Sequence, residues 1–162
     1  MAILDNAVWI DSGSGYAEDG STVISEAGNS TTVTASFTAN AWDATANGTG
    51  VSEFGAAFVL GPIAANYTFS NPVEDLAFTL EHVSSSGTTY DDNWTIYAYD
   101  ENGDLIPAAD VVAGLTGLVD EKVITNPDGS VTIDSDGTTA NDVTLNLPGK
   151  VSALNLVFQP GP

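Results

Sequence analysis

The chain has 162 residues, among them two lysines, no arginine and 22 carboxylates, which gives a formal charge of −20. Phosphate backbones are bound by clustered Lys and Arg that displace counterions, so nucleic acid is excluded as a partner, and an anionic membrane surface is disfavoured for the same reason. With no cysteine, there is no disulfide framework, thiolate metal site or thiol nucleophile.

From the N-terminus, Met1-Ala-Ile-Leu-Asp5 lacks the basic segment and apolar run of a signal peptide. No apolar stretch approaches the roughly 20 residues of a membrane span, so no membrane insertion is expected. The length suits one domain over 1–162, with enough apolar residues for a core. The ending Gln159-Pro-Gly-Pro162 reads as a domain edge, as if the module were excised from a larger protein. Thr, Val, Gly, Asn and Asp dominate, which favours strands and turns. Strands are predicted at roughly 6–10, 21–26, 31–39, 54–60, 64–70, 75–83, 94–99, 104–106, 111–117, 122–125, 130–134, 142–147 and 151–158.

Period two marks the clearest of them. Val33, Ala35, Phe37 and Ala39 share one face; Leu76, Phe78 and Leu80 share another; Val143, Leu145 and Leu147 a third. Such strands keep one wet face, the antiparallel pattern. Asn102-Gly103, Asp128-Gly129 and Pro148-Gly149 mark three hairpin turns. The expected fold class is all-β, a two-sheet antiparallel β-sandwich that is jelly-roll-like. The segment from Pro107 is alternatively the start of a helical turn. Two long loops, 40–53 and 84–93, are where function is expected on a rigid scaffold.

His82, the only histidine, continues the Leu76 face by parity and is read as structural. No nucleophile elbow surrounds the serines, and with 22 carboxylates no particular acid pair is singled out, so the chain is expected not to be an enzyme. Asp100-Glu-Asn-Gly-Asp104 has oxygen ligands at alternate positions, but Val111 occupies the place where a calcium-binding helix-loop-helix needs a bidentate Glu; a polar turn is the plainer reading. Asp91 and Asp92 are the candidate metal ligands, since adjacent carboxylates repel unless a cation offsets them, and calcium is the expected ion.

Candidate ligand-binding residues are aromatic: Tyr97, Tyr99, Trp42 and Tyr90. In Asp92-Asn-Trp-Thr-Ile-Tyr-Ala-Tyr-Asp100, Trp94, Ile96 and Ala98 form one face and Thr95, Tyr97 and Tyr99 the other. Two tyrosines in a row are suited to stack on sugar rings, unless a loop covers them. Trp42 lies among polar residues and either plugs the core or meets a ligand, whereas Trp9 alternates with its neighbours as a core residue does. The Thr-rich face of 32–38 has the residue type of an ice-binding array, but one strand is not an array.

The run Tyr67-Thr-Phe-Ser-Asn-Pro-Val-Glu-Asp-Leu-Ala-Phe-Thr-Leu80 and the later Tyr90-Asp-Asp-Asn-Trp-Thr-Ile-Tyr-Ala-Tyr-Asp-Glu-Asn-Gly-Asp104 resemble β-sandwich modules of large secreted proteins of marine α-proteobacteria, which often carry calcium-binding repeats or a Hint-type domain. The resemblance spans most of 64–160 and implies an extracellular, adhesin-like scaffold with an acidic loop at Asp91 and Asp92. The function expected is a secreted or cell-surface binding module for a glycan or other surface polymer. A structural module of a large surface protein is the alternative, and a polysaccharide lyase or hydrolase a third reading.

Overall fold

The computed structural model describes residues 17–26, 29–39, 41–46, 52–56, 62–85 and 91–160; the strand expected at 6–10, Trp9 and Tyr90 lie outside them. Among the described residues, ten strands and one short helix follow in order. They are β1 (Gly20–Glu26), β2 (Asn29–Phe37), β3 (Trp42–Ala46), β4 (Ser52–Ala56), β5 (Ile63–Val83), β6 (Asp92–Asp100), α1 (Ala108–Gly114), β7 (Leu115–Thr116), β8 (Glu121–Thr125), β9 (Val131–Ser135) and β10 (Asn141–Pro160). The expected all-β antiparallel class is present.

Hydrogen bonding joins these strands into one open sheet of order β1-β2-β5-β10-β6-β9-β8, with β7 beside β10, and a separate β3-β4 hairpin. Two sheets of comparable size are not what this pairing gives. The reason lies in β5 and β10, which the sequence divides in two and the structure does not. Both halves of β10 pair with β5 over Val143↔Leu80 to Leu147↔Leu76 and again over Ala153↔Thr68 to Phe158↔Ile63. Pro148-Gly149, expected as a hairpin turn, is a bulge inside β10 with Gly149 at φ 73°, and Asp75 near it on β5 has φ 51°. Matching irregularities on paired strands bend both together without reversing either.

The apolar alternation then fills one face. Val33 and Ala35 of β2, Ala65 and Tyr67 of β5, Leu154 and Leu156 of β10, Ile96 of β6 and Ile133 of β9 are all buried. Leu80, Val143, Leu145 and Leu147 from beyond the bend belong to the same cluster, as does Val111 of α1. The helix runs from Pro107, as the helical alternative for this segment anticipated, in place of most of the strand expected at 111–117. It ends at Gly114, where a Cβ would stand 2.0 Å from the backbone oxygen of Asn146; only glycine lets the helix lie this close to β10.

Two further expectations do not hold. His82 does not continue the Leu76 face; it is an exposed residue with φ 58° where the β5-β10 register slips between Asn141 and Val143. Its backbone N–H donates to Asp142 Oδ1 at 3.1 Å. The supposed loop 40–53 contains β3 and the start of β4.

Candidate functional site

The other face of the sheet is polar, and β6 runs through its interior beside β10. Ile96 and Ala98 are 1% and 2% exposed on the apolar side, so the intervening Thr95, Tyr97 and Tyr99 stand on the opposite side, each partly exposed. Register assigns their neighbours. Tyr97 lies opposite Asn155 and Tyr99 opposite Ala153 on β10; Asn155 is opposite Asn66 and Ala153 opposite Thr68 on β5; these in turn face Ser36 and Thr34 on β2. On its free side Tyr99 bridges to Leu105.

Hydroxyl and amide groups stitch this face together. Ser21 and Thr34 share a hydrogen bond of 2.9 Å, as do Thr95 and Thr132. Asn126 Nδ2 donates to Ser130 Oγ and Thr132 Oγ1, both at 2.9 Å. The β8-β9 hairpin at Asp128-Gly129 forms as expected, closed by Asn126 N–H donating to Ser130 O at 2.9 Å. It places Asp128 beside Tyr97: the phenol donates to Asp128 Oδ2 at 3.2 Å, while Ser130 N–H and Oγ–H donate to Oδ1 at 3.0 and 2.7 Å. The Ser130 side chain, then its amide, and then Tyr97 hold the Asp128 carboxyl below the usual range. Asn155 Oδ1, next to Tyr97 in the register, is enclosed and has no hydrogen-bond partner. The aromatic row was legible in the sequence; Asp128, Asn155 and Asn66 were not, because only strand order and register bring them to it.

Trp42 takes the first of its two expected roles. It is 3% exposed, its Nε1 donates to Ala64 O at 3.0 Å, and its ring lies 5.9 Å from that of Trp94, which in turn packs tilted against Phe158 at 5.1 Å. The ring belongs to the core and offers no face to a ligand.

Asp91 and Asp92 are held differently. Asp92 Oδ2 accepts the Ser84 amide at 3.0 Å, whereas Asp91 bridges Ser85 at the head of β6. Burial, then the Asp134 carboxyl, then Asp136 and Asp92, push the Asp91 carboxyl up; burial also raises that of Asp92 against the opposing Ser84 amide. Lys122, opposite Asp134 on β8, pairs with Asp136. Among the described residues no group of three or more His, Cys, Asp or Glu is arranged to hold a metal ion. The Asp100 carboxylate is used locally, its Oδ1 accepting the amides of Asn102 and Asp104 at 2.8 and 3.0 Å, which makes Asp100–Asp104 a polar turn.

A depression of about 190 Å³ lies elsewhere, lined by Asp75, Asn146, Leu147 and Pro148 at the bend; it is smaller than the usual small-molecule pocket. No described helix is long and apolar enough to cross a membrane. Comparison with family models, with curated proteins and with solved structures finds no match.

Proposed function

We propose that the chain is a non-catalytic binding module that seats an extended saccharide on the polar face of its sheet, at Tyr97 and Tyr99. The observation that carries this reading is the placement of the two tyrosines, two residues apart on an interior strand, partly exposed and flanked by Asn155, Asn66, Thr68 and Asp128. Aromatic rings supply stacking area, and the surrounding amides and hydroxyls supply the directional bonds that sugar hydroxyls need. A sheet face rather than a cleft suits a chain polymer, which brings many weak contacts along its length. The acidic surface and the resemblance to secreted β-sandwich modules favour an extracellular, adhesin-like setting. In that frame the halves of β5 and β10 beyond the bend serve as the second layer of a sandwich.

A glycan array probed with the wild-type chain tests this reading. Binding to one or more polysaccharides is expected, with Tyr97→Ala and Tyr99→Ala each weakening it about five- to tenfold, the worth of one aromatic contact of roughly 1–1.4 kcal/mol. Silence across the array would overturn it.

A second reading, a structural module that assembles with neighbours, is favoured by the sheet edges. Among the described residues, at one edge β1 exposes Val23 (64%), and at the other β8 exposes Ile124 (43%), with Val119 (66%) just before it. Unpaired strand edges with apolar side chains are templates for further pairing. Sedimentation that shows concentration-dependent assembly, abolished by Ile124→Lys or Val23→Lys, would support this reading in place of the first.

A further inference from the structure

Resting on that reading of the tyrosine face, we infer that its ligand is an amino-sugar polymer carrying free ammonium groups, and that acidic glycans are refused. The oxygens gathered at Tyr97 are acceptors. Asp128 is ionised, and its Oδ2 receives one hydrogen bond, from the Tyr97 phenol, where a carboxylate oxygen can accept two. The Tyr97 oxygen, having donated its proton, can only accept. A ligand that satisfies this set must bring donors.

Charge selects among donor-rich sugars. Beyond Asp128, the polar face and its borders carry Asp134 on β9, Asp136 just past it, and Asp100, Glu101 and Asp104 in the turn after Tyr99. The only two cationic side chains of the chain are already offset, Lys122 by Asp136 and Lys150 by Glu101 at 3.0 Å. A uronate or sulfated polymer would meet carboxylates with no free cation to receive it, at a net charge of −20. An ammonium on the sugar ring stacked at Tyr97 meets Asp128 and gains a charge-assisted hydrogen bond, together with attraction to the ring face.

The test is calorimetric titration of the whole chain with three hexamers: glucosamine with free amines, N-acetylglucosamine, and galacturonic acid. The free-amine hexamer is expected to bind about three- to fivefold more tightly than its acetylated counterpart, the range of an exposed ion pair, and the galacturonate not to bind. Asp128→Asn, which keeps an oxygen for Ser130, should erase that preference by weakening the free-amine hexamer more than the acetylated one. Asp110→Asn on α1, an equal change in net charge away from the face, should preserve the preference. Three results overturn the inference while leaving the tyrosine platform standing: acetylated and free-amine hexamers binding equally, galacturonate binding, or Asp110→Asn acting as strongly as Asp128→Asn. Failure of every hexamer, with a silent glycan array, overturns the platform itself.

Discussion

Replacing Trp42 distinguishes a core role from a ligand role with a large signal. The Trp42→Ala change empties a site that is 3% exposed and removes a ring 5.9 Å from Trp94. Losing a buried aromatic of this size costs about 3–5 kcal/mol, of which the contact with Trp94 accounts for about 0.5–1.5 kcal/mol. The hydrogen bond to Ala64 O matters less, because that carbonyl also accepts the Thr38 amide at 3.0 Å and is not left bare. Trp42→Phe, which keeps a ring and loses the N–H, should therefore cost only about 1 kcal/mol in hydrogen bonding, with a similar amount for the smaller ring. At roughly 2–4 °C per kcal/mol for a chain of this size, the alanine variant is expected to melt about 6–20 °C below the wild type and the phenylalanine variant a few degrees below it. Circular dichroism melts combined with urea titration measure both. Because Trp42 lies in the core, away from the tyrosine face, the folded phenylalanine variant should also keep its glycan affinity within about twofold. An alanine variant melting within a degree or two of wild type, or a phenylalanine variant that folds normally but loses the glycan, would refute the placement of this ring in the core.

Two further changes probe the acidic end of β6 and the seat of α1. The folded-state carboxyl of Asp91 is raised, so folding takes up a proton there; its penalty is present above the folded pKa and relieved as pH falls towards the ordinary carboxylate value near 4. Asp91→Asn should accordingly raise the melting temperature at pH 7 and lose that advantage as the pH approaches about 4, and a gain of equal size at both pH values would contradict this cause. Asp128 behaves oppositely: its depressed carboxyl contributes stability that is present above the unfolded value and lost as pH falls through the folded one. Gly114→Ala forces a methyl to within 2.0 Å of Asn146 O and must push α1 off β10. A loss of about 2 kcal/mol or more is expected in urea titration, and a neutral result would mean that the helix has room to spare.

Local alternation made the polar and apolar faces of β2 and β6 readable, because a strand with one wet face writes its orientation into every second residue. The Asp128-Gly129 hairpin was equally legible, since its turn residues act within a few positions. What escaped was set at long range. Pro148-Gly149 carries the chemistry of a reversal, yet both flanking segments are held on β5, and the bend at Asp75 lets the strands turn together. His82 broke parity because of a register slip that involves Asn141 and Val143, sixty residues away. Trp42 lay among small polar residues, and only the packing of Trp94 and Phe158 defines its seat. Asp91 was matched to its neighbour Asp92 by sequence, whereas strand pairing gives it Asp134 and Asp136. In the same way, the tyrosine row announced itself, but its acceptors came from β8-β9 and β10.

The most direct test of the central claim is a map of amide chemical shifts while a bound oligosaccharide is titrated into isotopically labelled protein. The shifts are expected to concentrate on β6 around Thr95–Tyr99, on β10 around Ala153–Val157, on β5 around Asn66–Thr68, and at Asp128 in the β8-β9 turn, with Tyr97 and Tyr99 ring protons broadened or moved. Shifts centred instead on Val119–Ile124, on the bend at Asp75 and Pro148, or on α1 would contradict the assignment of the polar sheet face as the binding surface.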